Sequence, residues 1–178
     1  SQAWLDISAE PMVYVLPETD RFCNVQLLDA WTNTAAVLDK AGAYAIALPG
    51  WEGELPDGVT LVDVPTATMW SITRTVLSGN EDLPNVYAIQ EQMQLLPLSA
   101  YVQGGEYTAP QGAYKEENDF VPVNKVLSMT PAEFFNTANA LMQVNPPADA
   151  DEELLKKLSA INVGAGKTFD AALLGEGA

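Results

Sequence analysis

Six short apolar, β-branched-rich segments crowd the first 76 residues, and they constrain the fold more than any other feature: "AWLDIS", "PMVYVL", "NVQLLDAW", "AYAIAL", "VTLVDV" and "TMWSITRTVL". Turn-forming stretches separate them: "AEP", "PETDR", residues around "DKAG", "PGWEGELPDG" and "PTA". Strands this close together, with no helical period between them, are expected to pair as antiparallel sheets rather than as βαβ units. The expected fold class is α+β, mainly β: an antiparallel β-sandwich or jelly-roll-like domain with a helical C-terminal segment.

The stretch "PGWEGELPDG", residues 49 to 58, has two readings. Pro49-Gly50 and Asp57-Gly58 are turn dipeptides bracketing a bend, and Trp51 and Leu55 can fold back onto a sheet. The alternative is a binding lip carrying Trp51 and Glu52.

Beyond residue 80 the period changes. Leu83, Val86, Ile89, Gln90 and Met93 recur at three- and four-residue steps after the caps Asn80 and Asp82, so one short helix is expected near 82–93. An extended segment and a long loop follow through "QLLPLSAYVQGGEYTAPQGAYKEEND". A helix then opens with Thr130 as N-cap, Pro131 at its first position and Glu133 closing a capping box, and stops at Pro146 and Pro147. "DADEELLKKLSAIN" forms a second helix, with Gly164 and Gly166 as its stop. The sequence thus divides into a β-rich domain over 1–126 and a helical appendage or linker over 127–178.

Composition excludes several chemistries. The chain has no histidine, which removes Ser-His-Asp and Cys-His catalysis and the commonest ligand of transition metals. Its 24 acids stand against 8 scattered bases, a net charge of −16, so no nucleic-acid partner is expected. No apolar run approaches the ~20 residues of a membrane helix, and no membrane span is expected. Cys23 is the only cysteine and, beside Phe22 and Val25, is expected to be a small apolar filler.

Two motif fragments fail on inspection. Gly166, Lys167 and Thr168 match the end of a phosphate loop, but Ile161 stands where the pattern demands glycine, and a helix rather than a strand precedes it. The acids of "ADADEE" resemble a calcium loop yet lack its glycine and terminal glutamate, and they suit a helix N-terminus. No cofactor and no metal are expected.

What remains is a binding surface. Asp29, Trp31, Trp51, Glu52 and Arg74 are the candidate ligand-binding residues, because tryptophan rings near carboxylates suit sugars and small molecules, and Arg74 can clamp a carboxylate bidentately. A pair among Asp29, Glu52, Glu54, Asp57 and Asp63 is the one route open to glycoside hydrolysis. No catalytic residue is assigned.

The blocks "LLDAWTN", "PGWEGELPDGV", "PTATMWSITRT", "DLPNVYAIQEQMQLLPLS" and "FFNTANALMQVNPP", in that order, resemble the bacterial domain-of-unknown-function 1254 family, from about Ala3 to Asp170. Members of that family usually continue into a C-terminal domain-of-unknown-function 1214 module. The resemblance implies a jelly-roll-like module, periplasmic or secreted, with the 1214 module of the same protein as partner and homo-oligomers in some members; it implies no reaction. "SQAWLDIS" carries neither an initiator Met nor a signal peptide, and the segment is expected to begin inside a larger protein. The functional expectation is an uncharacterised envelope-associated or secreted module with a non-catalytic binding or assembly role. The alternative is a glycan or small-molecule binding protein, or a hydrolase with paired carboxylates beside tryptophans.

Overall fold

The computed structural model describes residues 1–174. The chain divides into two compact units, Ser1–Ala109 and the residues from Pro110 onward. The sequence pattern set its division after Val126; the backbone places the loop after Ala109 and the first helix beyond it with the later helices.

Eight strands are present among the described residues: β1 (Gln2–Asp6), β2 (Met12–Leu16), β3 (Cys23–Leu28), β4 (Thr34–Leu38), β5 (Gly42–Ala47), β6 (Val59–Asp63), β7 (Thr68–Thr75) and β8 (Gln94–Pro97). They form two four-stranded sheets, sheet I in the order β1-β7-β3-β4 and sheet II in the order β6-β5-β2-β8. The fold is α+β with mostly antiparallel sheets. Strand β4 and the short helix after β8 add to the expected elements, and β8 is the extended segment expected at "QLLP". The segment "NVQLLDAW" is a strand only to Leu28, because residues 29–33 turn back on themselves, with Thr32 at a φ of 69°.

One pair departs from the antiparallel rule: β5 and β6 run parallel, with Ala43 opposite Val59 and Ala47 opposite Asp63. A parallel neighbour cannot be reached by a hairpin, so the chain must return to the start of β5 before β6 begins. Residues 48–58, the "PGWEGELPDG" stretch included, make that return. Trp51 and Leu55 lie on the outer face of sheet II during the crossing, packed with Val13, Ala45, Leu96 and Leu98.

The alternation of side chains builds the interior. Leu5, Val25, Leu27 and Met69 from sheet I meet Tyr14, Leu16 and Ile46 from sheet II. Val25, Leu27, Ile46 and Met69 are wholly buried, each contributing about 1.5–3 kcal/mol of hydrophobic stabilisation. Sheet II is covered on both faces, by the core and by the crossover with its neighbours. That double cover explains why "PMVYVL" and "AYAIAL" are continuous apolar runs, whereas β1, β3 and β7 of sheet I alternate.

Two helices complete this unit, α1 (Leu83–Gln90) and α2 (Leu98–Val102). A 3-10 turn over Asn80–Asp82 leads into α1, whose N-terminal Asp82 is bound by Arg21 rather than capping the helix. Helix α2 begins where Glu10 accepts from the backbone and hydroxyl of Ser99.

The second unit contains α3 (Pro122–Leu127), α4 (Pro131–Val144) and α5 (Glu152–Leu158). Helix α4 carries the expected capping box: Thr130 accepts from the Glu133 amide and the Glu133 carboxylate accepts from the Thr130 amide. The helix stop after α5 differs from expectation. Asn162, not a glycine, takes the left-handed conformation at a φ of 57°, following a 3-10 turn over Ser159–Ile161. Phe135 packs on Phe169, ring centroids 4.7 Å apart, and Met142, Val163 and Phe169 are buried.

Candidate functional site

The interior of the sandwich consumes the inward positions of sheet I; of its outward positions Leu28 is buried, Asn24, Gln26, Trp70 and Ile72 are half-buried, and Trp4, Val37 and Arg74 are exposed. Trp4 on β1 sits directly opposite Trp70 on β7 in the antiparallel register. Their rings stack at a centroid distance of 5.6 Å and an interplanar angle of 15°. Trp4 is 71% exposed, although an indole of that size is normally mostly covered. Along β7 the same face continues through Ile72 to Arg74, with Gln26 opposite Ile72 and Asn24 opposite Arg74 on β3. The surface is a flat strip with stacked indoles toward one end and a guanidinium at the other.

Polar atoms on this face are unevenly used. Gln26 donates to Thr34 at 2.7 Å. Trp70 Nε1 and Asn24 Oδ1 are covered and lack a hydrogen-bond partner. Such atoms cost about 1–3 kcal/mol each while unpaired. Arg74 is exposed and makes no ion pair among the described residues.

The candidate residues from the sequence fall in three places. Asp29 and Trp31 lie together in the turn between β3 and β4. The Asp29 carboxylate is buried and accepts from the amides of Trp31 and Asn33 on one oxygen and from the Asn33 side chain on the other. Those bonds hold the turn. Trp51 and Glu52 lie on the crossover over sheet II, the indole packed on the sheet and the carboxylate exposed. Arg74 lies on the outer face of sheet I, five β3 residues from the Asp29 turn through its partner Asn24, roughly 17 Å at the rise of a strand. Trp70 and Arg74 share a face; Asp29, Trp51 and Glu52 are elsewhere.

Sequence reasoning missed Trp4. The signal was present in "AWLDIS", where Leu5 and Ile7 are buried and the intervening parity points Trp4 outward. Its stacking on Trp70 depends on the β1–β7 register, which pairs strands more than sixty residues apart.

Where hydrogen bonding moves a carboxyl, it moves it down. The Ser8 hydroxyl and amide lower Asp6, the Thr130 amide and hydroxyl lower Glu133, and the Arg21 guanidinium holds Asp82 well below the usual carboxylate range. A general acid needs the opposite shift. An open depression of about 590 Å³ lies where the 17–22 and 39–41 loops meet, lined by Glu18, Asp20, Arg21, Asp39 and Lys40. Its charges are mixed, and Arg21 is already committed to Asp82. Among the described residues no group of three or more Cys, Asp or Glu side chains is placed to hold a metal ion, and no helix is long and apolar enough to cross a membrane.

Fold and surface together define a two-sheet β-sandwich module with one open aromatic face, followed by a helical unit. The chain belongs to the family described as "Protein of unknown function (DUF1254)", whose profile matches residues 1–97. It is similar in structure to the VPA0106 protein from Vibrio parahaemolyticus, with a TM-score of 0.73 and 23% identity over 97% of this chain. The chain spans 43% of that protein's length, and the likeness shows the fold. No match is found among curated proteins.

Proposed function

We propose that this chain is a non-catalytic module of an envelope-associated or secreted protein, acting by binding through the outer face of sheet I. The observation that supports this reading is the Trp4–Trp70 stack, its outer indole 71% exposed. Exposed aromatic area of this kind marks recognition surfaces, since a rigid indole loses little entropy on binding. The envelope or secreted setting comes from the family resemblance alone.

The test is a binding screen on arrays of glycans and short peptides with the wild-type chain, Trp4→Ala and Asp29→Asn. A binding surface on sheet I gives ligands whose signal falls at least tenfold in Trp4→Ala and survives in Asp29→Asn. Signals indifferent to Trp4 overturn it.

Assembly is a second role, supported by α3. Val121, Val123, Val126 and Leu127 are all exposed, so this short helix has more apolar surface than its own unit covers. The reading assigns that surface to the C-terminal module of the same protein, or to a second copy. In protein carrying that module, Val123→Glu with Leu127→Glu is expected to lower the melting temperature or dissociate an oligomer in sedimentation; unchanged behaviour in both overturns this role.

A further inference from the structure

We infer that the outer face of sheet I is built for an oligosaccharide bearing a carboxylate, with a sugar ring on the Trp4–Trp70 stack and the acid on Arg74. This rests on the binding reading above and names its ligand class. Trp70 and Arg74 lie four residues apart on one face of β7, roughly 13 Å at the rise of a strand, which suits a short chain of sugar rings better than one small molecule. The negative π face of an indole attracts the weakly positive C–H face of a pyranose. Ile72 lies between the two anchors as an apolar floor.

Charge selects the acid. In a chain of net charge −16, the outward neighbours of Arg74 on β7 and β3, namely Asn24, Gln26 and Ile72, include no carboxylate, and Asp39, just past the end of β4 and one strand further on, makes no ion pair with it. Asp6 stands at the other end of the sheet, opposite Thr68, and is bound by Ser8. Arg74 is therefore a local cation without an ion-pair partner among the described residues, and its fork matches one carboxylate. A nucleic acid would need many such cations, and an added peptide strand would use a sheet edge rather than a face. Asn24 Oδ1 and Trp70 Nε1 are an acceptor and a donor on this sheet that no protein group uses.

The probes are tri-galacturonate, tri-mannuronate and a hyaluronan tetrasaccharide, each against its methyl ester, titrated by calorimetry and tryptophan fluorescence. At least one acid is expected to bind, with its ester at least tenfold weaker. Arg74→Gln should bind acid and ester alike, and Trp4→Ala should weaken both, with circular dichroism melts showing that each variant is folded. Absence of saturable binding by every acid at millimolar concentration, or equal binding of acid and ester by the wild type, overturns the inference. If the array screen still yields Trp4-dependent ligands without carboxylates, only the ligand class falls; if nothing depends on Trp4, the binding reading falls with it.

Discussion

Tyr14 Oη and Thr73 Oγ1 lie 2.6 Å apart inside the sandwich, one on β2 of sheet II and the other on β7 of sheet I, 59 residues apart in sequence. This hydrogen bond crosses the interface between the sheets, where other contacts are apolar and tolerate sliding. Burial pushes the Tyr14 hydroxyl above its ordinary value, so the neutral form is the one the fold holds. Tyr14→Phe leaves Thr73 Oγ1 buried without this partner and is expected to destabilise the first unit by about 1–2 kcal/mol. Tyr14→Phe combined with Thr73→Val should cost less than the sum of the two single changes, measured by urea denaturation in a double-mutant cycle.

Arg21 and Asp82 join the loop before β3 to the start of α1. Arg21 Nη1 donates to Asp82 Oδ2 at 2.7 Å and Nη2 to Oδ1 at 3.3 Å, while Ser78 and Asn85 donate to the same carboxylate. With its folded pKa depressed, chiefly by Arg21, Asp82 stabilises the fold above its unfolded pKa of about 3.9 and loses that contribution as pH falls through the folded value. Asp82→Asn should therefore melt below the wild type at pH 7, and the gap should narrow below about pH 4. Thermal melts at several pH values measure it. A gap that widens in acid would contradict the assignment.

Local chemistry was legible, and pairing at a distance was not. The capping box of α4 occupies four neighbouring residues, so Thr130, Pro131 and Glu133 announce it directly. Three strands of sheet I, β1, β3 and β7, were visible because Leu5, Val25, Leu27 and Met69 alternate with outward residues. Strand β4, "TAAVL", lacks that contrast because alanines fill both parities, and it escaped notice. The parallel β5–β6 pair was hidden for a different reason: a crossover and a wide hairpin loop share the same turn dipeptides, and only the register separates them. Asp29 looked like a ligand group because sequence shows a carboxylate beside a tryptophan, whereas its oxygens are spent on the turn it begins. The Trp4–Trp70 stack needed a register between the first strand and the seventh.

Trp51 and Gly53 set the path of the crossover. The indole lies so close over Gly53 that a Cβ there would run into its ring carbons. The ring also packs against the Val13 and Ala45 cluster, which leaves it little room to yield. Gly53→Ala is expected to force Trp51 off sheet II at a cost of about 1–3 kcal/mol, with a red shift of tryptophan emission and a lower melting temperature. Glu54→Ala, an exposed change one residue on, should leave both unchanged.

Asn139 performs the corresponding task in the second unit. It is 1% exposed on α4; its amide donates to the carbonyls of Asn162 and Lys167, both at 2.9 Å, and its oxygen accepts from the Gly164 amide at 2.7 Å. Asn136, one turn earlier, accepts from the Phe169 amide at 2.8 Å. The segment "NVGAGKTF" is thus fastened at both ends to one helix, and the Gly164 amide that a phosphate would have used is already engaged. Asn139→Ala opens a cavity and strands two carbonyls and an amide, for a loss on the order of 3 kcal/mol. Asn139→Asp, nearly the same shape, keeps the bond from Gly164 but replaces the amide donor with an oxygen facing two carbonyls, so it should destabilise as well. Hydrogen exchange at Gly164 separates the two: fast in the alanine variant because its acceptor is gone, and slower in the aspartate variant. Equal protection in both variants would show that the loop is held by its own backbone and not by Asn139.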